Sequence, residues 1–136
     1  MRIVVILAPA APGSPLKKYA EAMVEGMSSM GHHVDLFDAT KDDGHRLAAY
    51  DYIALLSESA SAIKSALPSC ATKALASASS LIGKKGAAFV RKSGFFSGRA
   101  LKNLMQLMEA QGMRVNWSEL VVSAQDAGRL SKGIGA

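Results

Sequence analysis

The sequence predicts an α/β fold in which one parallel sheet is covered by helices on both faces. Three observations predict it. Short apolar runs rich in β-branched residues alternate with longer segments of helical periodicity. The strand-like runs at 2–7, 52–56 and 86–90 are continuous rather than alternating, which suits strands buried on both faces. Glycines stand where two of the helical runs stop, at Gly31 and Gly112.

Taken in order, Arg2 to Leu7 is the first strand. Leu16 to Met30 turns helical, with Leu16, Ala20, Met23, Val24, Met27 and Met30 on one face and Lys17, Lys18, Glu21 and Glu25 opposite. His32 to Ala39 alternates at Val34 and Leu36 and reads as a second strand. Thr40 to Ala49 is a polar loop or short helix, and Tyr52 to Leu56 a third strand. The Ala/Ser-biased stretch from Ser57 to Ser80 reads as a helix interrupted near Pro68. Gly86 to Val90 is a fourth strand. Ser97 is placed to cap a helix striped by Leu101, Leu104, Met105 and Met108. Val115 to Val122 is a fifth strand. The tail from Ser123 onward allows at most a short last helix, broken by glycine and prone to fray.

The totals narrow the class. A chain of 136 residues with 49% hydrophobic residues can build one cored domain, spanning 1–136. Its longest apolar run, Ile3 to Ala8, is far short of the roughly 20 residues a membrane span needs. The expectation is a cytoplasmic protein with no membrane contact. Cys70 is the single cysteine, so an internal disulfide and a cysteine metal site are excluded. Net charge is +5, but the cations are spread along the chain with no aromatic–basic motif, so nucleic acid is not the expected partner. His32 and His33 are adjacent and would point to opposite faces of a strand, and His45 has no nucleophile beside it. No metal site and no catalytic residue is assigned.

These residues carry a resemblance. The pieces IVVILA, KKYAEAMVEGMSSMGHHVDLFDA, LAAYDYIALLSES, GKKGAAFVRKSGFFSGRALKNLMQLMEAQGMRV and LVV look like a short flavodoxin-like domain, of the flavodoxin and NADPH-dependent FMN reductase type. The resemblance implies a five-stranded parallel sheet of order 2-1-3-4-5 in a three-layer sandwich. It also implies an FMN crevice at the carboxyl ends of the strands, reached by the loops Ala8 to Leu16, Ser57 to Ala62 and Arg91 to Ser97.

Each loop departs from the family's pattern. The first, APAAPGSPLKK, holds three of the chain's four prolines, which have no N–H to offer an anion. Gly13 to Leu16 stand where a T-G-N-T run would be, and only Ser14 keeps a hydroxyl. Prolines at every third position suggest a stiff, extended loop. The amides of Ala10, Ala11, Gly13, Ser14 and Leu16 remain as phosphate donors, and Lys17, Lys18, Arg91, Lys92 and Arg99 as cations that could draw an anion. The second loop lacks the aromatic expected to stack on a flavin ring. It offers Ser57, Glu58 and Ser59 to the ring's polar edge, while Ser59 or Ser61 would serve equally as a helix cap. In the third, Ser93 and Gly94 are small, and Phe95 or Phe96 would cover the flavin face or form a patch that a protein partner or a second copy covers.

Two functions stay open from the sequence. One is an FMN-binding electron-transfer or flavin-dependent redox protein with a redox partner; as an enzyme, it would be an FMN-dependent oxidoreductase. The other is a flavin-free domain of the same fold that binds another anionic small molecule or a protein partner.

Overall fold

The computed structural model describes residues 1–42, 44–60, 67–78, 80–93 and 97–134. Strands β1 (Arg2–Ala8), β2 (His33–Asp38), β3 (Tyr52–Ser57), β4 (Lys85–Arg91) and β5 (Arg114–Val121) form one sheet of order β2-β1-β3-β4-β5. Every neighbouring pair is parallel. The helices are α1 (Leu16–Ser28), α2 (Ser69–Ala76), α3 (Ser97–Ala110) and α4 (Ala124–Ser131), with a short 3-10 turn at Leu47–Ala49. This is the sheet order the resemblance implies.

Alternation along the central strands divides the core into two layers. Ile3, Val5 and Leu7 of β1, with Ala54 and Leu56 of β3, pack under Leu16, Ala20, Met23 and Met27 of α1 and Ala127 of α4. Val4, Ile6 and Ala8, with Ile53 and Leu55, pack under Ala71 and Leu75 of α2 and Ala100, Leu104 and Met108 of α3. Both faces of β1 and β3 are buried, so neither strand could afford polar residues at alternate positions.

The carboxyl-terminal segment departs from the sequence reading. α4 is a full helix of eight residues, not a fraying tail. Ser123 caps it, its hydroxyl accepting from the Asp126 amide at 3.0 Å. Gly128 does not break it. A Cβ at Gly26 of α1 would lie 2.5 Å from the Gly128 carbonyl oxygen, so these two glycines let α1 and α4 come into backbone contact. The Ser131 hydroxyl donates its one proton to the Gly128 carbonyl at 2.8 Å, and the Met23 carbonyl of α1 shares it at 3.3 Å.

The Ala/Ser-biased stretch is interrupted at Pro68, as its sequence suggests, and residues 61–66 before that break lie outside the described residues. α2 begins only at Ser69, directly after Pro68. Proline has no N–H to donate and fixes its own φ, so a helix starts readily after it. A helix capped by Ser59 or Ser61 would run through residues 61–66, which lie outside the described residues. Ser97 is the first residue of α3; its hydroxyl folds back on Ser93, accepting from the amide at 2.7 Å and donating to the carbonyl at 2.6 Å.

Candidate functional site

Strands β1, β3 and β4 run parallel, so the loops after them open on one rim. Glu58, the first residue beyond β3, ties them together. Its Oε2 accepts from the Ala10 amide and the Ser14 hydroxyl, each at 2.7 Å. Its Oε1 accepts from Arg91 Nε at 3.0 Å and Nη2 at 2.7 Å, and Arg91 is the last residue of β4. The Glu58 side chain is only 2% exposed, against 26% for that of Arg91. Burial pushes the Glu58 carboxyl up, but bonds from Ser14 and Ala10 and the Arg91 guanidinium outweigh it, and the group sits below the usual carboxylate range.

The first loop makes this possible by turning. The Ser14 amide donates to the Ala11 carbonyl at 3.3 Å, and Gly13 has φ +81°. Pro12 at the second position and a left-handed glycine at the third are the signature of a type II turn. The loop is thus curled, not the extended polyproline segment its spacing suggests. The curl brings the Ala10 amide and the Ser14 hydroxyl onto one oxygen. Ser14 Oγ also accepts from the Leu16 amide at 3.2 Å. Helix α1 has no acidic residue in its first turn. The Glu58 carboxylate, held by Ser14 just before it, puts a negative charge at that positive helix end.

The remaining candidates fall out as follows. Ser57 is fully buried and its hydroxyl donates to the Ala8 carbonyl at 2.9 Å, so it fastens β3 to β1. Ser59 is half-buried beside Glu58. Leu16 buries its side chain under α1. Ser93 is held by Ser97. Gly94, Phe95 and Phe96 lie outside the described residues. Among the described residues, the Ala11 and Gly13 amides are the donors of the loop left with no bond; both residues are exposed.

These residues do not fit the phosphate of FMN. Two of the donors that would hold it, the Ala10 amide and the Ser14 hydroxyl, are spent on a carboxylate. That carboxylate also puts a negative charge where the second negative group would come.

Beside the first loop is an open cleft of about 770 Å³, walled by Pro9, Pro12 and Pro68, with Lys17, Lys41 and Asp38 on its lining. Cys70 lies in it, its thiol directed at the Pro9 carbonyl at 3.6 Å. Burial raises the Cys70 pKa, so this thiol is a poor nucleophile near neutral pH. A second hollow of about 690 Å³ lies around Met1, Lys84 and Trp117. It opens at the amino ends of the strands, the side on which open parallel sheets do not bind ligands.

With sheet order, layers and rim in place, the fold is flavodoxin-like, and solved structures agree. Oxidised flavodoxin 2 from Bacillus cereus superposes with a TM-score of 0.75 at 18% identity, over 96% of this chain and 95% of that one. A flavodoxin from the domain Archaea gives 0.72 at 21% identity, over 98% and 96%. Two-electron reduced flavodoxin from Megasphaera elsdenii gives 0.68 at 17% identity, over 97% and 98%. No protein-family model matches the chain. No curated protein matches it by sequence.

Proposed function

We propose that this chain is a single flavodoxin-like domain working as a flavin-free binding module, with an anionic small molecule or a protein partner meeting the carboxyl-end rim. The observation that carries this reading is the Glu58 carboxylate, 2.7 Å from both the Ala10 amide and the Ser14 hydroxyl. Each charge-assisted hydrogen bond denied to a phosphate is worth roughly 1.5–3 kcal/mol, so two of them lower FMN affinity by about a hundredfold or more. The open cleft beside the loop has two lysines, Lys17 and Lys41, against one carboxylate, Asp38, on its lining, and this excess of positive charge supports an anionic ligand there. Among the described residues no helix is long and apolar enough to cross a membrane.

A second reading is an FMN-binding electron-transfer protein that meets a redox partner. It is favoured by the shared rim of the three loops and by the likeness to flavodoxins solved in oxidised and reduced states. The two readings part on one titration. Purified protein added to FMN is expected to leave flavin fluorescence and the visible band unchanged at tens of micromolar flavin. Quenching with a Kd below about 1 µM (roughly −8 kcal/mol) overturns the flavin-free reading in favour of the second.

A further inference from the structure

Four donors converge on one side chain that the chain itself supplies. The Ala10 amide and the Ser14 hydroxyl meet one oxygen of Glu58, and the forked Arg91 guanidinium meets the other. Amide and hydroxyl donors before a helix, set against a guanidinium edge whose Nε and Nη2 both meet one oxygen, are the kinds of donor by which proteins hold phosphate-type oxyanions. The composition of the first loop suggests that such a site has lost its donors. The geometry says otherwise: donors are present and already in use. Glu58 also lies beyond the last residue of β3, on a loop, so its backbone is not locked into the sheet.

We propose that Glu58 is an intramolecular plug in a seat for a phosphate-type oxyanion, and that the seat takes such an anion once the plug is withdrawn. This rests on the flavin-free reading and adds its cause. Two terms keep the plug in place. The tethered carboxylate has a far higher effective concentration at the seat than a dissolved anion. An incoming dianion also meets the Glu58 charge at close range, in a site shielded from water. Truncating Glu58 removes both terms and leaves the Ala10 amide, the Ser14 hydroxyl and Arg91 facing the vacated space.

The test compares the wild type with Glu58→Ala, Glu58→Gln and the double variant Glu58→Ala/Arg91→Ala, each as the full chain. Melting temperature is followed in inorganic phosphate against chloride at matched ionic strength, and flavin binding with FMN against riboflavin, the same ring without phosphate. Glu58→Ala is expected to melt higher in phosphate and to bind FMN at least about tenfold more tightly than riboflavin. The wild type and Glu58→Gln, whose amide still fills the seat, are expected to do neither, and the double variant to lose the gain. Should Glu58→Ala fail to fold, Glu58→Ser takes its place. A folded truncation variant that melts alike in both salts, or binds the two flavins equally, overturns the plug and leaves the flavin-free reading standing. Tight FMN binding by the wild type overturns the flavin-free reading whatever the variants do.

Discussion

The Glu58 carboxylate and the Ser14 hydroxyl, 44 positions apart in the chain, share a hydrogen bond of 2.7 Å. That bond joins the loop after β1 to the loop after β3, and Arg91 adds the end of β4 through the other carboxylate oxygen. The rim where open parallel sheets bind their ligands is thereby cross-braced by a buried charge. A buried ion pair contributes little net stability compared with apolar packing, yet removing one partner is costly, because the other is left buried and uncompensated. The brace therefore fixes the shape of the rim more than it stabilises the fold.

Acid should undo this brace. The folded Glu58 carboxyl sits below its usual value, so folding favours the ionised form. Its contribution is fully present above the unfolded carboxylate pKa of about 4.3 and is lost as pH falls through the lower folded value. Glu58→Gln should therefore melt below the wild type at neutral pH, by a margin on the order of 2 kcal/mol. The margin should shrink steadily below about pH 4 and vanish in strong acid. Melting curves of both proteins across that range check it; a margin independent of pH would show that the Glu58 charge plays no part.

Much of the fold was legible because it depends on local pattern. The runs at 3–8 and 52–56 are apolar without a break because helices cover both faces of the strands, and Gly31 and Gly112 do take positive φ just beyond α1 and α3. What was illegible depends on distant partners. Glu58 in the run SES looks like any loop residue, and only the 33- and 44-residue separations to Arg91 and Ser14 give it a role. Nothing local marks Gly128 as a packing residue rather than a breaker, because the reason is Gly26, on another helix. The type II turn was written in Pro12-Gly13, but the three-residue proline spacing obscured it.

The helix glycines give a prediction with opposite signs. A Cβ at Gly26 would lie 2.5 Å from the Gly128 carbonyl oxygen and 2.6 Å from the Ser131 hydroxyl, whereas at Gly98, in the exposed first turn of α3, it would meet nothing within 4 Å. Alanine is the better helix former by about 0.8–1.0 kcal/mol in a helix interior. Gly98→Ala should raise stability by a few tenths of a kcal/mol up to that amount. Gly26→Ala should lower it by about 1–3 kcal/mol, because α4 must move away from α1. Urea unfolding of the two variants decides the matter, and a stabilised Gly26→Ala would mean that α1 and α4 do not pack this closely.

Tyr52 should mark the opposite rim at high pH. It stands at the start of β3, only 3% exposed, and its hydroxyl donates to the Asn116 side chain of β5. Burial pushes its pKa up from 10.0 to about 12. The folded chain thus holds the phenolic proton after an unfolded chain would have released it. The stability this provides is complete below about pH 10 and drains away as pH rises through the folded value. Two tests follow from that sign. In the tyrosinate absorbance titration of the folded protein, Tyr52→Phe should delete the step near pH 12. Tyr52→Phe should also flatten the loss of melting temperature between about pH 10 and 12, since phenylalanine has no proton to lose. If the wild type and Tyr52→Phe lose stability in parallel over that range, the Tyr52 phenol is not held in its neutral form by the fold.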